Sequence, residues 1–190
     1  MKYKENIIVV FAVLILTSVI LNACKFVKSV SYNTRKVEIL NTLEVDLPNV
    51  LQEITSEEYL KKFNGTIENV PDTNFTNTFS TALFCVDLNG NNYGCDMNIL
   101  YQNKEDFCAS YSKKENITVT NCEIKSFDGH DFLYLKFIEH DKQKRTNIIC
   151  KTCYNNEVLT LSFISNDLYT SEEDKLMGDK ILESIKFIEE

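Results

Sequence analysis

Cysteine is the residue type with the greatest chemical capacity in this chain of 190 residues, which has seven Cys, two His and no Trp. A cysteine thiolate is a nucleophile and a metal ligand, and two cysteines can also form a disulfide. Cys150 and Cys153 have the CxxC spacing of redox and zinc sites. Cys24 stands apart from the other six, directly after an apolar segment. The positions of the seven cysteines therefore predict more than one kind of chemistry.

The N-terminal segment has the pattern of an export signal. Lys2 and Lys4 precede an apolar run, Ile7 to Leu21, that carries no charge. A positively charged start and an apolar run of about 7 to 15 residues are typical of a signal peptide. A membrane-spanning helix usually needs about 20 apolar residues, and Lys25 would lie within one that continued through Val27. An uncleaved anchor helix and ordinary secretion remain as alternatives, and all three hypotheses place the rest of the chain outside the cytoplasm.

Four residues at the end of the apolar run predict where the signal is cut. The sequence Leu21-Asn22-Ala23-Cys24 has an aliphatic residue, a small residue and then Cys, and it resembles the lipobox of bacterial lipoproteins. The resemblance implies that residues 1–23 are removed and that the Cys24 thiol carries a diacylglyceryl group. It also implies that the new amine receives an acyl chain such as palmitate. Several acyl chains hold a protein at a membrane far more firmly than one.

The chain that would remain is acidic. Residues 1–23 contain two Lys and one Glu, so the rest has 18 basic and 27 acidic residues and a net charge of −9, against −8 for the whole chain. Nucleic-acid binding requires a basic surface, so this balance excludes that class of partner. Residues 24–42 are interpreted as a lipidated tether with four basic residues: Lys25, Lys28, Arg35 and Lys36. These side chains either lie against anionic lipid headgroups or are simply solvated.

Residues 43–190 are interpreted as one exported domain. Its six cysteines are candidates for disulfides because the compartment is not reducing. They are Cys85, Cys95, Cys108, Cys122, Cys150 and Cys153. Cys85 and Cys95 flank a predicted turn, Asn89–Asn92, and they face each other only in one of two registers of that hairpin. Free buried thiols are the alternative, since Cys also behaves as a small apolar residue.

The CxxC motif admits several interpretations. A redox CxxC depends on a helix N-terminus that lowers the pKa of its first thiol, whereas Cys150 and Cys153 lie at the end of a predicted strand. A zinc site with His140 lacks the second ligand pair that such sites need. We therefore favour structural disulfides, either between these two cysteines or to Cys108 and Cys122.

Other catalytic constellations are missing from the sequence. His130 and His140 bracket one predicted strand and would lie about 33 Å apart at strand rise, so they cannot form one site. The chain has no GxSxG nucleophile motif and no HExxH metal motif. The sequence therefore predicts no catalytic residue, no metal site and no cofactor.

The spacing of apolar residues predicts the elements that position these side chains. Helices are predicted over Ser56–Phe63, Lys104–Lys114 and Ser171–Phe187. Strands are predicted over Thr81–Leu88, Tyr93–Gln102, Asn116–Ser126, His130–His140, Thr146–Tyr154 and Glu157–Ser165. Turns are predicted at Asp128-Gly129 and Asn155-Asn156, a charged hairpin tip over Asp141–Arg145, and a loop over Asn64–Asn77. This order predicts an α+β fold in which an antiparallel sheet is packed by helices and closed by a C-terminal helix.

One stretch of this pattern has a family resemblance. The segments FLYLKF, NIICKTCYNNEVLTLSFI and DKILESIKF, within 128–187, resemble the C-terminal half of Mog1/PsbP-like domains. The resemblance implies a fold rather than an activity, because the functions of that family are mixed.

Together these patterns predict a membrane-anchored bacterial lipoprotein of the cell envelope. Its domain is predicted to bind a protein or another envelope component, without enzymatic activity. The alternative is an envelope thiol/disulfide redox protein or enzyme that uses Cys150 and Cys153.

Overall fold

The computed structural model describes residues 33–63, 70–78, 80–89, 95–141, 144–166 and 172–188. The predicted signal peptide, Cys24 and residues 25–32 of the predicted tether lie outside these ranges. Within the ranges, no helix is both long and apolar enough to cross a membrane.

The described part of the chain contains ten strands and four helices. In chain order they are β1 (Thr34–Ile39), β2 (Leu43–Pro48), β3 (Gln52–Ile54), α1 (Ser56–Phe63), β4 (Thr73–Thr76), β5 (Ala82–Asn89), α2 (Met97–Gln102), α3 (Lys104–Ser112), β6 (Ile117–Phe127), β7 (His130–His140), β8 (Lys144–Tyr154), β9 (Glu157–Asn166), α4 (Glu172–Glu183) and β10 (Lys186–Phe187). Seven strands form an antiparallel main sheet in the order β3-β4-β5-β9-β8-β7-β6. The other three form a small sheet, β1-β2-β10. The predicted α+β fold with an antiparallel sheet is confirmed.

The two faces of the main sheet differ in how well they are covered. Successive residues of a strand point to opposite faces, and β9 is the middle strand of the seven. Its residues on one side, which we call the covered face, are all buried: Leu159, Leu161, Phe163 and Ser165. Its residues on the other side, the open face, are only half-buried: Val158, Thr160, Ser162 and Ile164. The centre of the sheet is therefore fully covered on one side and only partly covered on the other.

Helix α4 lies on the covered face, as its apolar spacing predicts. Met177, Ile181 and Leu182 are all buried. The Tyr134 hydroxyl donates a hydrogen bond of 2.7 Å to the Asp179 carboxylate. Lys136 forms an ion pair of 2.6 Å with the other oxygen of the same carboxylate. One acidic side chain of the helix thus holds two side chains of β7.

The Asp179 carboxylate makes the free energy of unfolding depend on pH. Burial alone would raise the pKa of Asp179, but bonds from Lys136 and Tyr134 outweigh burial and hold the pKa below its ordinary value of 3.8. A lowered pKa stabilises the fold at neutral pH, and that stabilisation is lost as the pH falls through the lowered value. We expect Asp179→Asn to reduce the free energy of unfolding by about 1–2 kcal/mol at pH 7. Urea unfolding at falling pH should show this difference shrinking below about pH 4; an equal difference at all pH values would contradict the assignment.

The small sheet begins earlier in the chain than the sequence predicts. β1 lies within residues 24–42, which we interpreted as tether, and it pairs along its whole length with β2. Charged residues alternate with Val37 and Ile39 in β1, so the segment resembles a solvated linker. One of those charges, Lys36, forms a cross-strand ion pair with Glu44. A tether can therefore extend no further than about residue 33.

Three further features differ from the predictions. Met97–Gln102 is helix α2 and not part of a strand, because the Asp96 carboxylate accepts the Asn98 N–H (2.8 Å) and caps a helix there. Strand β5 pairs with β4 and β9 and not with the predicted strand Tyr93–Gln102, and the predicted turn residues 90–92 lie outside the described ranges. Strand β4 lies inside the predicted loop 64–77, and its Phe75 is buried.

The run from β6 to β9 matches its prediction closely. Asp128 and Gly129 have φ values of 49° and 78°, and Asn155 and Asn156 have φ values of 46° and 69°. Two residues with positive φ form the tight hairpin turn that suits the twist of antiparallel strands. Asn, Asp and Gly tolerate this conformation best, which is why these two turns can be predicted from the sequence.

Helix α1 also has its predicted bounds, but its cap is Thr55 rather than Ser56. The Thr55 hydroxyl accepts the Glu58 N–H (3.2 Å), and the Glu58 carboxylate accepts the Thr55 N–H (3.0 Å). This reciprocal pair is a capping box. The corresponding prediction for Ser171 lies outside the described residues.

Candidate functional site

The open face of β9 is the floor of a groove between two helical walls. On the β5 side, Phe63 at the end of α1 approaches Leu83 and Ile164. On the β7 side, the ring of Tyr111 in α3 packs 5.0 Å from the ring of Phe137. The floor between these walls contains half-buried hydroxyl and aliphatic side chains. A concave surface of this kind is a candidate binding site.

One end of the groove deepens into a cavity of about 260 Å³. Its apolar lining is Phe63, Leu83 and Ile164, and its polar lining is Lys62, Ser80, Thr81, Arg145 and Asn166. Two cationic side chains and two hydroxyl groups thus surround an apolar floor. The cavity can hold a small group that is polar on one side and apolar on the other.

The polar lining is fixed by side chains around the cavity. The Arg145 guanidinium contacts the carboxylates of Glu139 (3.0 Å) and Asp141 (2.9 Å) through a single nitrogen, Nη2. The amide of Asn77 donates to the Thr81 hydroxyl (2.7 Å), and its oxygen accepts the Thr81 N–H (2.8 Å). These bonds hold the Arg145 guanidinium and the Thr81 hydroxyl in place before any ligand arrives.

The backbone at the cavity is also unusual. Ser80 has a φ of 53°, a left-handed conformation that costs free energy for a residue with a side chain. Other turn residues, such as Asn155 and Asn156, share this conformation. At Ser80 it belongs to the tight connection between β4 and β5, in which the Ser80 N–H donates to the Asn77 carbonyl (2.9 Å).

The wall formed by α2 and α3 is joined to the sheet by two disulfides and by apolar packing. The Cys95–Cys153 disulfide joins the start of α2 to β8, and the Cys108–Cys122 disulfide joins α3 to β6. Neither helix has a fully buried residue, but Leu135 and Phe137 of β7 are buried on the same face. Covalent bonds and apolar contacts therefore both hold the wall on the sheet.

Only part of the predicted disulfide pattern is present. Cys108 and Cys122 are paired with each other and not, as we had expected, with the CxxC cysteines, and Cys85 is not paired with Cys95. The physical reason is the strand order: Cys85 lies in β5 between Asn74 of β4 and Ser162 of β9. Cys95 instead reaches β8, and the two remaining cysteines are free and buried.

The CxxC cysteines are not paired with each other. Residues three apart in a strand point to opposite faces, so Cys150 lies on the covered face while Cys153 binds Cys95 on the open face. Burial raises the pKa of Cys150, and burial together with Asp87 raises the pKa of Cys85 to about 12. A redox thiol needs the opposite shift. The geometry therefore opposes the alternative hypothesis of redox chemistry at this motif.

This arrangement predicts how the thiols react. In the native protein, Cys85 and Cys150 should resist alkylation because both are buried and protonated at neutral pH. In denaturant without reductant both should be alkylated, and reductant should add the four disulfide cysteines. Mass spectrometry after each treatment counts the modified residues. Rapid alkylation of Cys150 in the folded protein would contradict the assignment and restore the redox hypothesis.

The two histidines stand at opposite ends of β7, as predicted. His140 Nε2 lies 2.9 Å from the Thr118 hydroxyl, a contact that the sequence does not reveal because the two residues are on neighbouring strands. His140 is exposed and His130 is half-buried, and neither histidine lines the cavity. The His130 ring packs 3.8 Å from the ring of Phe187. Within the described ranges, no cluster of three or more His, Cys, Asp or Glu could hold a metal ion.

Comparison with known proteins finds similarity in structure but not in sequence. Neither a protein-family model nor a curated protein matches the sequence. LpqN, which is involved in cell envelope biogenesis of Mycobacterium tuberculosis, matches with a TM-score of 0.55 and 10% identity over 81% of this chain and 90% of that chain. The cyanobacterial PsbP protein CyanoP of Synechocystis gives 0.49 and 12% over 83% and 94%. The Ran-binding protein Mog1p of Saccharomyces cerevisiae gives 0.47 and 10% over 82% and 96%.

The structural neighbours are PsbP/Mog1-like domains, including LpqN. At these identities the likeness shows a fold and not a ligand or an activity.

Proposed function

We propose that this chain is a lipid-anchored protein of the cell envelope whose domain binds an envelope component, a protein or a lipid, in the groove on the open face. The observation that carries the proposal is the unequal burial of β9. The residues on its covered face are fully buried, whereas those on its open face, between the two walls, are only half-buried. A central strand left open on one side is a preformed surface for a ligand.

The lining of the groove favours binding over catalysis. A catalytic site brings a nucleophile, a base that activates it and a group that stabilises developing charge to one point. The described residues of the cavity lining supply cations, hydroxyl groups and an amide, but no histidine and no thiol, and the nearby carboxylates of Glu139 and Asp141 are bound to Arg145. Such groups orient and hold a ligand, and they leave its bonds intact.

The anchor rests on the lipobox resemblance at Cys24 and on the place where the domain begins. Residues 24 to 33 can span about 30 Å when extended. That length holds a domain close to a membrane without embedding it. The involvement of LpqN in cell envelope biogenesis supports the same location.

Loss of the anchor is tested with Cys24→Ala. We expect this chain to lose metabolic lipid labelling and to leave the membrane fraction. The matched control is Cys85→Ala, which removes a buried thiol elsewhere and should leave labelling unchanged. Labelling that persists in the Cys24→Ala protein would show that the lipobox interpretation is wrong.

Binding in the groove is tested with a photo-cross-linking residue in living cells. Ser162 lies on the groove floor, and Lys186 lies exposed at the far side of the domain. Irradiation should give a discrete adduct when the cross-linker replaces Ser162 and none when it replaces Lys186. No adduct from position 162, or the same adducts from both positions, would contradict a binding groove.

A further inference from the structure

The cavity lies at the end of the domain where the chain enters it from the tether. Asn33 precedes β1, and its carbonyl accepts the Asn49 N–H (2.8 Å) three residues before β3 begins. At that same end of the main sheet β3 begins, β4 ends, β5 begins and β9 ends. Ser80 and Asn166, which line the cavity, flank the start of β5 and the end of β9. We call this side of the molecule the anchored end.

Among the described residues, the cavity at the anchored end has two cations, of which Arg145 is matched by two carboxylates and Lys62 is not. Helix α1 has its acidic residues, Glu57 and Glu58, in its first turn and its basic residues, Lys61 and Lys62, in its last turn. The last turn lines the cavity, and the first turn lies about 8 Å further along the helix axis. Lys62 has no ion-pair partner among the described residues. Its ammonium group is therefore available to an anion, although the domain as a whole is acidic.

The other polar groups of the cavity are hydrogen-bond donors. Glu139 and Asp141 both contact Nη2 of Arg145, which leaves the remaining guanidinium N–H groups available. The Thr81 hydroxyl accepts a hydrogen bond from Asn77, so its own hydrogen is available for donation. Charge-assisted donors of this kind suit a phosphate oxygen. The apolar floor, which includes Leu83 and Ile164, suits the hydrocarbon portion of the same molecule.

We propose that this cavity binds the phosphate headgroup of an anionic phospholipid in the membrane that holds the anchor. This inference rests on the proposed anchoring at Cys24. The headgroup phosphate lies between Lys62 and Arg145, with the Thr81 hydroxyl as a further donor. The tether keeps the cavity within reach of the bilayer, so a modest intrinsic affinity is enough for occupancy. The lipid thereby orients the groove toward the membrane surface.

The absence of tryptophan from the chain allows a direct test. Phe63→Trp places a single fluorophore in the cavity lining. Ile99→Trp places one on α2, where the side chain is 55% exposed and the Cys95–Cys153 disulfide holds the helix at the other end of β8. Each full-length lipidated protein is reconstituted into phosphatidylcholine vesicles that contain brominated phosphatidylglycerol, whose bromine atoms quench tryptophan on contact. A second series contains brominated phosphatidylcholine only.

We expect brominated phosphatidylglycerol to quench Trp at position 63 several-fold more than brominated phosphatidylcholine does. Position 99 should show little quenching by either lipid. Lys62→Glu should abolish the preference for phosphatidylglycerol, Lys62→Arg should keep it, and Lys186→Glu, the same charge change at the far side, should leave it unaltered. Quenching that is equal at both positions, or that ignores lipid charge or Lys62→Glu, would overturn the proposal.

Two further measurements distinguish the lipid proposal from the proposed anchoring and from binding of a soluble phosphate ester. Flotation of the vesicles reports anchoring: a protein that does not float contradicts the proposed function, whereas one that floats without quenching at position 63 contradicts only the lipid inference. Glycerol 3-phosphate is added to vesicle-free protein in detergent to test for a soluble phosphate ligand. A fluorescence response at position 63 to that compound, without any response to phosphatidylglycerol, would assign the cavity to a soluble phosphate ester and overturn the lipid proposal.

Discussion

Replacement of all four disulfide cysteines by serine is expected to release α2 and α3 from the sheet while the strands stay paired. The Cys108–Cys122 bond closes a loop with a separation of 14 residues, and the Cys95–Cys153 bond closes one of 58. Loops of these lengths correspond to about 3 and about 4 kcal/mol of stabilisation when a disulfide constrains the unfolded chain. Because neither helix has a fully buried residue, we expect apolar packing to replace only part of that contribution.

Amide hydrogen exchange measures the outcome residue by residue. We expect the amides of α2 and α3 to lose protection while those of β7 and β8 keep it, because local opening then costs far less than global unfolding. Cys85→Ser is the control, since it changes a buried cysteine that belongs to no disulfide. Unchanged protection in α2 and α3 without their disulfides would show that packing, not covalent attachment, forms this wall of the groove.

Gly178→Ala is expected to destabilise the domain by about 1–3 kcal/mol, the range found for overpacked cores. An added Cβ would lie 2.4 Å from Cδ1 and 2.8 Å from Cγ of Phe163, and 2.9 Å from Cδ1 of Ile148. Both neighbours are 1% exposed, so neither can move into solvent. In an exposed helix the same change stabilises by about 1 kcal/mol. A loss of stability in Gly178→Ala, rather than a gain, would therefore show that α4 closely approaches the sheet.

Two further variants test whether crowding against Phe163 causes the loss of stability in Gly178→Ala. Gly129→Ala meets no atom within 4 Å but has a φ of +78°, so it should cost about 1–2 kcal/mol through backbone strain alone. Adding Phe163→Leu to Gly178→Ala should recover part of the loss, because the smaller side chain makes room and the two changes are not additive. Urea unfolding of the four proteins measures these free energies. A stabilising Gly178→Ala would mean that α4 does not pack as the structure shows.

The elements that could be predicted from the sequence are those whose local pattern and tertiary environment agree. From β6 to β9, apolar alternation and turns such as Asp128-Gly129 specify both the strands and their connections. The same patterns fail to predict β1, because its charged side chains resemble those of a solvated linker although its backbone is paired with β2. They also fail in short segments, where the Asp96 cap decides between helix and strand. The fold class followed from the long elements, so these errors did not change it.

The candidate site was harder to predict, because it depends on the order of strands in the sheet. Thr160 and Ser162 look like an ordinary solvated strand face until the structure shows that β9 is the central strand of seven. Lys62 and Arg145 are distant in sequence, and only the return of α1 toward the cavity brings them to one rim. Disulfide pairing fails for the same reason, since Cys95 meets Cys153 only once the sheet is assembled.

The central claim, a lipid-anchored binding domain, is tested most directly by the intact mass of the protein purified from its native membrane without reductant. The account predicts a chain that starts at Cys24, carries a diacylglyceryl group and an amide-linked acyl chain, and lacks four hydrogens because of two disulfides. A mass that includes residues 1–23, or a Cys24 without lipid, would contradict it.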